Sequence, residues 1–135
     1  WIVCYFLIIW GADIGAYITG NLWGYAKLAP QVSPGKTIAG VWGGLVLGSV
    51  ASVTFAWAAL LPVSHYWLLL ILAIVTILFS IVGDLFISLL KRLSGIKDSG
   101  QLFPGHGGLL DRIDSSLAAL PVFVLGLNLL SVIQL

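Results

Sequence analysis

Charge is scarce in this sequence of 135 residues: only 8% of the residues are charged, whereas 60% are hydrophobic. Soluble globular domains carry about a quarter of their residues as charged side chains, so the composition excludes a soluble enzyme and a disordered tail. The 6 basic residues nearly balance the 5 acidic ones, which leaves no basic surface for a nucleic-acid partner. The single cysteine, Cys4, cannot form an internal disulfide or a cysteine-rich zinc site.

Methionine is also absent, and the chain opens at Trp1 within an apolar run. No basic leader and no small-residue cleavage site of a signal peptide precedes this run. We therefore expect the sequence to be the C-terminal part of a longer protein.

Two long stretches carry no charge at all, residues 37–83 and 115–135. A turn-forming connector at residues 62–65 divides the first stretch into two pieces of about 24 residues, each roughly 36 Å long as a helix. That length crosses a hydrocarbon core of about 30 Å. The runs are continuously apolar rather than alternating, and open sheets cannot satisfy their backbone in lipid, so membrane strands are excluded.

We predict an all-α, polytopic integral membrane helical bundle that forms one domain over residues 1–135. The predicted spans are residues 1–17, 38–61, 66–90 and 117–135, the last despite Pro121 and Asn128. Single crossings place loops 18–37 and 91–116 on one side, with all 6 Lys and Arg residues. The excess of basic residues predicts that this side is cytoplasmic.

Asp84 lies inside a predicted span, near the end that faces these loops. A carboxylate within a membrane costs roughly 3 kcal/mol on insertion scales and is usually paired, metal-bound or exposed to water. At helical spacing Ser80, Asp84, Ser88 and Lys91 share one face, which predicts a polar stripe directed at the loops. A pairing of Asp84 with Lys91 that only neutralises the charge is the alternative, and we favour a functional site.

Asp13 is a second carboxylate in an apolar context. Gly11 and Gly15 flank it at a spacing that lets another helix approach closely. Asp13 itself is either a functional group or a carboxylate that reaches water from a helix end, and the sequence leaves both interpretations open.

Residues 32–37 end in Gly-Lys-Thr but are not a nucleotide-binding P-loop, because that motif needs a glycine where this chain has Pro30. A turn beginning at Ser33, just before a helix, would still present backbone N–H groups, Lys36 and hydroxyls at the positive helix end, which suits an anion. An ordinary N-capped turn is the alternative.

Gly40, Gly44 and Gly48 recur at four-residue spacing along the second long span. This pattern predicts a face for close helix packing, and a contact between two copies in a homodimer is a further interpretation of the same face.

The densest polar stretch is residues 88–114, with three carboxylates, four basic side chains and a glycine-flanked His106. Carboxylates beside Lys and Arg suit a nucleotide bound with Mg²⁺, since oxygen ligands hold the metal and the cations neutralise phosphate. Asp111 and Asp114 are one helical turn apart and can face the same way. A solvated basic loop would need neither the acids nor the histidine.

This stretch resembles the signature of the phosphatidate cytidylyltransferases, also called CDP-diacylglycerol synthases. The matching positions are Ser88, Lys91, Arg92, Lys97, Asp98, Gly100, Pro104, Gly105, His106, Gly107, Gly108, Asp111, Arg112 and Asp114. Residues 11–17, 27–30, 33–37 and 83–85 are also similar to bacterial members of that family, so the resemblance covers essentially the whole chain.

The resemblance implies transfer of a cytidylyl group from CTP to phosphatidate at the cytoplasmic face of a bacterial inner membrane, giving CDP-diacylglycerol and pyrophosphate. It implies that Asp84 and Asp111 hold Mg²⁺, with room for a second cation. The other implied site residues are Lys91, Arg92, Asp98, His106 and Arg112 as catalytic groups; Ser33, Lys36, Thr37, Ser88, Lys97, Gly107 and Gly108 as substrate-binding groups; and Asp13 and Asp114 as supporting groups.

Three other functions remain open at this point. An ion-coupled transporter would use intramembrane Asp13 and Asp84. A CTP-dependent lipid-alcohol kinase would move the γ-phosphate rather than the nucleotide onto lipid. A noncatalytic membrane scaffold would need none of the acids.

Overall fold

The computed structural model describes residues 1–95 and 110–132, with side chains described for residues 1–95 and 116–130. In order, the elements are α1 (Ile2–Trp23), β1 (Lys27–Ala29), β2 (Ser33–Thr37), α2 (Ile38–Ala58), a 3-10 turn (Val63–His65), α3 (Tyr66–Leu93) and α4 (Leu110–Val132). Within these residues, three helical segments are long and apolar enough to cross a membrane: Ile2–Trp23, Ile38–Ala58 and Val63–Leu93. The predicted all-α membrane bundle is confirmed.

The first helix is longer than the predicted span over residues 1–17, because α1 continues to Trp23. Polar residues after Tyr17 suggested a loop, yet the Thr19 hydroxyl lies 2.8 Å from the carbonyl oxygen of Gly15 and 2.9 Å from that of Ala39 at the start of α2. These contacts satisfy the hydroxyl inside the bundle, so the helix has no reason to end there.

The second helix begins at Ile38 as predicted and ends at Ala58, slightly before residue 61. Leu60 adopts the left-handed conformation (φ 55°), and the Leu61 N–H donates to the Ala56 carbonyl at 3.0 Å. This is a Schellman-type C-terminus, which satisfies carbonyls that the helix leaves without partners. The third helix runs from Tyr66 to Leu93, slightly past the predicted end at residue 90.

Glycines bring α1 and α2 into close contact, as their spacing predicts. A methyl group at Gly40 would lie 3.1 Å from the Ala16 carbonyl oxygen, and one at Gly44 would lie 3.0 Å from that of Ala12. At Gly48 it would lie 3.1 Å from the Ile8 carbonyl oxygen. The glycine face of α2 is therefore covered by α1 of the same chain, so a contact between two copies would have to use another surface.

The segment between α1 and α2 folds as a small hairpin, where the sequence predicted a turn at Ser33. Strands β1 and β2 pair antiparallel, with Lys27 opposite Thr37 and Ala29 opposite Ser33. The turn lies earlier, where the Val32 N–H donates to the Ala29 carbonyl at 3.2 Å. Pro34 fits in β2 because, in the described part of the chain, this strand pairs with β1 alone, and proline is tolerated on an edge strand.

The last helix, α4, begins at Leu110, earlier than the predicted span over residues 117–135. Its apolar part, Ser116–Leu130, is shorter than the three long segments. Ala119 and Phe123 are buried in the bundle, and the Tyr5 hydroxyl of α1 donates to the Ser116 carbonyl. Pro121 lies within the helix without ending it.

Large apolar side chains on the outer face of α2 remain exposed in the isolated chain, among them Trp42, Val46, Val50 and Trp57. Water would disfavour such a surface, whereas lipid accommodates it. The chain is an integral membrane protein.

Candidate active site

A cavity of about 220 Å³ opens where α1, α2, β2 and α3 meet. Three of these elements contribute polar groups: Asp13 from α1, Lys36 and Thr37 from β2, and Ser80 and Asp84 from α3. The rest of the wall is built from small and apolar residues. The polar groups of three segments that are distant in sequence therefore converge on one site, as a binding pocket requires.

An ion pair crosses this cavity, between the Lys36 ammonium and the Asp84 carboxylate. Both side chains are mostly shielded, with 25% and 27% of their surface exposed. The structure pairs Asp84 with Lys36, which is far from it in the sequence, whereas the sequence offered Lys91 as the alternative partner. Lys91 lies about two helical turns further along α3.

Asp13 lines the same cavity with an exposed side chain. Because α1 continues to Trp23, Asp13 lies about ten residues before the helix end, roughly 15 Å at the helical rise. The interpretation of Asp13 as a carboxylate at a helix end is therefore wrong. Asp84 lies at a similar distance from the end of α3, so both acids reach the cavity from the interior of long helices.

Strand β2 leads directly into α2 and orients the cationic wall of the cavity. The Thr37 side chain is buried, and its hydroxyl oxygen accepts a hydrogen bond of 3.0 Å from the Gly40 N–H. Thr37 is thus the N-cap of α2, and the positive end of that helix adjoins Lys36. Ser33, at the other end of β2, is not among the residues that line the cavity.

Arg92 connects the end of α3 to the hairpin. Its Nε donates to the Val32 carbonyl in the hairpin turn at 3.4 Å, which is a long hydrogen bond at an exposed position. This contact places the end of α3 beside the loop between α1 and α2, so two of the predicted polar segments do share one end of the bundle. Ser88 and Lys91 lie on α3 between Asp84 and this contact and are not cavity-lining residues.

Several predicted site residues lie outside the described part of the chain, namely Lys97, Asp98, His106, Gly107 and Gly108. Asp111, Arg112 and Asp114 belong to the first turns of α4, but their side chains are not among those described. Their predicted roles remain predictions.

Ser80, which the sequence placed on one helix face with Asp84, lies one helical turn before that acid, is buried and lines the cavity. Sequence reasoning did not name Tyr17 as a site residue, although it lies one turn after Asp13 and also lines the cavity. The signal was present, since residues four apart on a helix share a face.

The cavity is chemically suited to a cation beside an anion. Asp13 and Asp84 offer carboxylate oxygens, the ligands that hard divalent ions prefer. The Lys36 ammonium on Asp84 stands where such a cation would bind. Among the described side chains, those of residues 1–95 and 116–130, no group of three or more His, Cys, Asp or Glu assembles into a metal site, so this part of the chain offers a partial ligand set.

Comparison with known proteins identifies the family of the chain. The model of the Cytidylyltransferase family matches residues 1–130. The chain belongs to this family. Among relatives of this cytidylyltransferase-family chain, the phosphatidate cytidylyltransferase of Pseudomonas aeruginosa is 49% identical over 122 residues, which cover 90% of the chain and 45% of that protein. The phosphatidate cytidylyltransferase of Bacillus subtilis is 44% identical over 125 residues, 93% of the chain and 46% of that protein.

The chain thus spans slightly less than half the length of these relatives. A solved structure of an intramembrane enzyme for archaeal membrane-lipid biosynthesis is also similar, with a TM-score of 0.67 and 28% identity over 92% of this chain and 76% of that one. The helices of this cytidylyltransferase-family chain therefore form a known type of intramembrane enzyme fold.

Proposed function

We propose that the complete gene product transfers the cytidylyl group of CTP to phosphatidate, giving CDP-diacylglycerol and pyrophosphate for phospholipid synthesis. The observation that carries the proposal is the cavity in which Lys36 meets Asp84 beside the N-terminus of α2. It occurs in a chain whose relatives, 44% to 49% identical, are named for this activity.

The reaction brings two anions together. A phosphate oxygen of phosphatidate forms a bond to the α-phosphorus of CTP, and the bond from that phosphorus to the bridging oxygen of the β-phosphate breaks, so that pyrophosphate leaves with the electron pair. The acceptor phosphate is already ionised near neutral pH, so no strong general base is needed. The enzyme must chiefly hold the reactants in line and neutralise their charge.

The cationic wall of the cavity suits this task. Lys36 and the N-terminus of α2 would bind the phosphates of CTP, and the Thr37 cap fixes the direction of that helix. Lys91, Arg92 and Arg112 would neutralise the leaving pyrophosphate or the phosphate of the lipid.

The carboxylates would hold Mg²⁺, with Asp84 and Asp111 as its ligands and Asp13 beside them. When bound, Mg²⁺ supplies positive charge against the triphosphate oxygens. The oxygen donors of Asp13 and Asp84 fit this ion in kind, and the ammonium already paired with Asp84 supports a cation position there.

The position of the cavity suits both substrates. Phosphatidate keeps its acyl chains in the bilayer and its phosphate at the interface, while CTP is soluble. We propose that the end of the bundle that carries the hairpin faces the cytoplasm of a bacterial cell at its inner membrane, because Lys27 and Lys36 of the hairpin and Lys91 and Arg92 of the last turn of α3 share that end.

The test uses the complete gene product in mixed micelles with phosphatidate, Mg²⁺, and CTP labelled either in the cytosine base or at the γ-phosphate. Base label should enter lipid, γ label should remain soluble, and Asp84→Asn should lower the transfer at least about 100-fold, since it removes a charge that the transition state requires. Lys27→Gln, on the same hairpin but outside the cavity wall, is the matched control and should retain activity.

Entry of the γ label into lipid would identify a lipid kinase instead. Absence of both labels from lipid, in a folded protein, would refute enzymatic transfer and favour the transporter.

A further inference from the structure

We propose that Lys36 is a built-in counter-ion that competes with a divalent cation for Asp84 and, once displaced, becomes a ligand for the phosphates of the nucleotide. This inference deepens the proposed function by giving the order in which Lys36 changes partners. Its nucleotide step, in which the displaced Lys36 binds the phosphates, rests on the proposed function.

The charges of the cavity wall couple metal binding to the release of Lys36. Among the described residues that line it, the charged groups are the carboxylates of Asp13 and Asp84 and the ammonium of Lys36. Lys36 contacts Asp84, so the ammonium occupies an oxygen that a divalent cation would use. Two cations cannot share that oxygen without strong repulsion in a shielded site. Binding of the metal and release of Lys36 are therefore coupled.

The backbone and side chain of Lys36 allow its ammonium to move from Asp84 to a bound phosphate. The backbone next to it is fixed, because Lys27 pairs with Thr37 across the hairpin and Thr37 caps α2. The side chain has a flexible four-carbon stem and ends in a compact charge. The ammonium can therefore leave Asp84 without any movement of the strand, and it stays beside the N-terminus of α2, where an anion is favoured.

A purely structural salt bridge is the competing explanation. The two explanations predict opposite changes in metal affinity when Lys36 is removed. If the pair only ties β2 to α3, removing Lys36 loosens the carboxylate and weakens metal binding. If Lys36 is a competitor, removing it strengthens metal binding.

The first measurement is a Mn²⁺ titration of the complete gene product in detergent, followed by the electron paramagnetic resonance of free Mn²⁺, with no nucleotide or phosphatidate present. Lys36→Gln should bind Mn²⁺ about 2- to 10-fold more tightly than the wild type, the range expected for loss of a partly exposed ion pair and of one repelling charge. Lys27→Gln removes the same charge from β1, outside the cavity wall, and should change the affinity less than twofold, about the limit of a screened surface charge.

The second measurement needs no variant. Reductive methylation of the wild type, quantified at each lysine by mass spectrometry, should become faster at Lys36 when Mn²⁺ is added and slower again when CTP follows. Lys27 in the same sample is the internal control and should not respond. In Asp84→Asn the methylation of Lys36 should already be fast and should not respond to Mn²⁺.

Equal, weaker or undetectable Mn²⁺ binding in folded Lys36→Gln would overturn the inference, and so would a methylation rate at Lys36 that ignores Mn²⁺. If base label enters lipid but neither the Mn²⁺ affinity nor the methylation of Lys36 responds, the proposed function stands and only the exchange of partners by Lys36 is refuted. A normal Mn²⁺ response without any label transfer removes the proposed function, and with it the nucleotide step.

Discussion

Replacing Gly15 with alanine should force α1 and α2 apart, because the two backbones touch at this point. A methyl group at Gly15 would lie 2.3 Å from the carbonyl oxygen of Gly43 and 2.8 Å from its carbonyl carbon. Ordinary contacts begin near 3.4 Å, so the helices must separate by roughly 1 Å. Overpacking of this kind costs about 1 to 3 kcal/mol. The obstacle is backbone, which no change of rotamer can relieve.

The same displacement should reach the cavity. Asp13 lies on α1 and Lys36 lies two residues before α2, so separation of these helices moves two walls of the site relative to each other. A misplacement of about 1 Å can reduce a rate by as much as about 100-fold, and we expect transfer to fall by about 10- to 100-fold.

Chemical unfolding of the complete gene product in detergent, with transfer measured on the same samples, tests this reasoning. Gly11→Ala is the graded control, since its methyl group would lie 3.2 Å from the nearest atoms, and Gly35→Ala is the stability control, with nothing within 4 Å. The free energy of unfolding should fall most for Gly15, slightly for Gly11 and not for Gly35. Equal stability of the Gly15 and Gly35 variants would refute the account of helix packing.

Two further substitutions test single hydrogen bonds of the fold by chemical unfolding. Thr37→Val should lower the free energy of unfolding by about 1 kcal/mol, because the Gly40 N–H loses its cap, whereas Thr37→Ser should retain it; equal loss in both would contradict the capping role. Tyr5→Phe should cost about 0.5 to 1.5 kcal/mol, because the Ser116 carbonyl loses its donor while the ring contact with Phe123 remains; no loss would mean that this contact does not hold α4 against α1.

The sequence was sufficient for the two central membrane helices, α2 and α3, because spans in lipid are encoded locally. The length of an uncharged run decides whether that run can cross the membrane. The two helices accordingly begin at Ile38 and Tyr66, as expected. Glycine spacing likewise predicted the face of α2 that packs closely against another helix, since small residues at every fourth position lie on one face of a single helix.

The rest depended on contacts between distant segments. The extension of α1 rests on the contact of Thr19 with Ala39, and the hairpin requires Lys27 and Thr37 to pair across a turn. The sequence could offer only Lys91, on the same helix, as an alternative partner of Asp84, whereas the structure pairs Asp84 with Lys36. Helical periodicity identifies neighbours on one helix and carries no information about a strand that folds back over it. The cavity could therefore be predicted as a set of residues, but not as an arrangement.

The most direct test of the central claim is where the nucleotide and the metal bind. A structure of the complete gene product with Mn²⁺ and a CTP analogue that cannot be cleaved should place an anomalous Mn²⁺ peak on the Asp84 carboxylate. The triphosphate should lie against Lys36 at the N-terminus of α2, with the Lys36 ammonium no longer on Asp84. Nucleotide or Mn²⁺ bound away from this cavity would contradict the account.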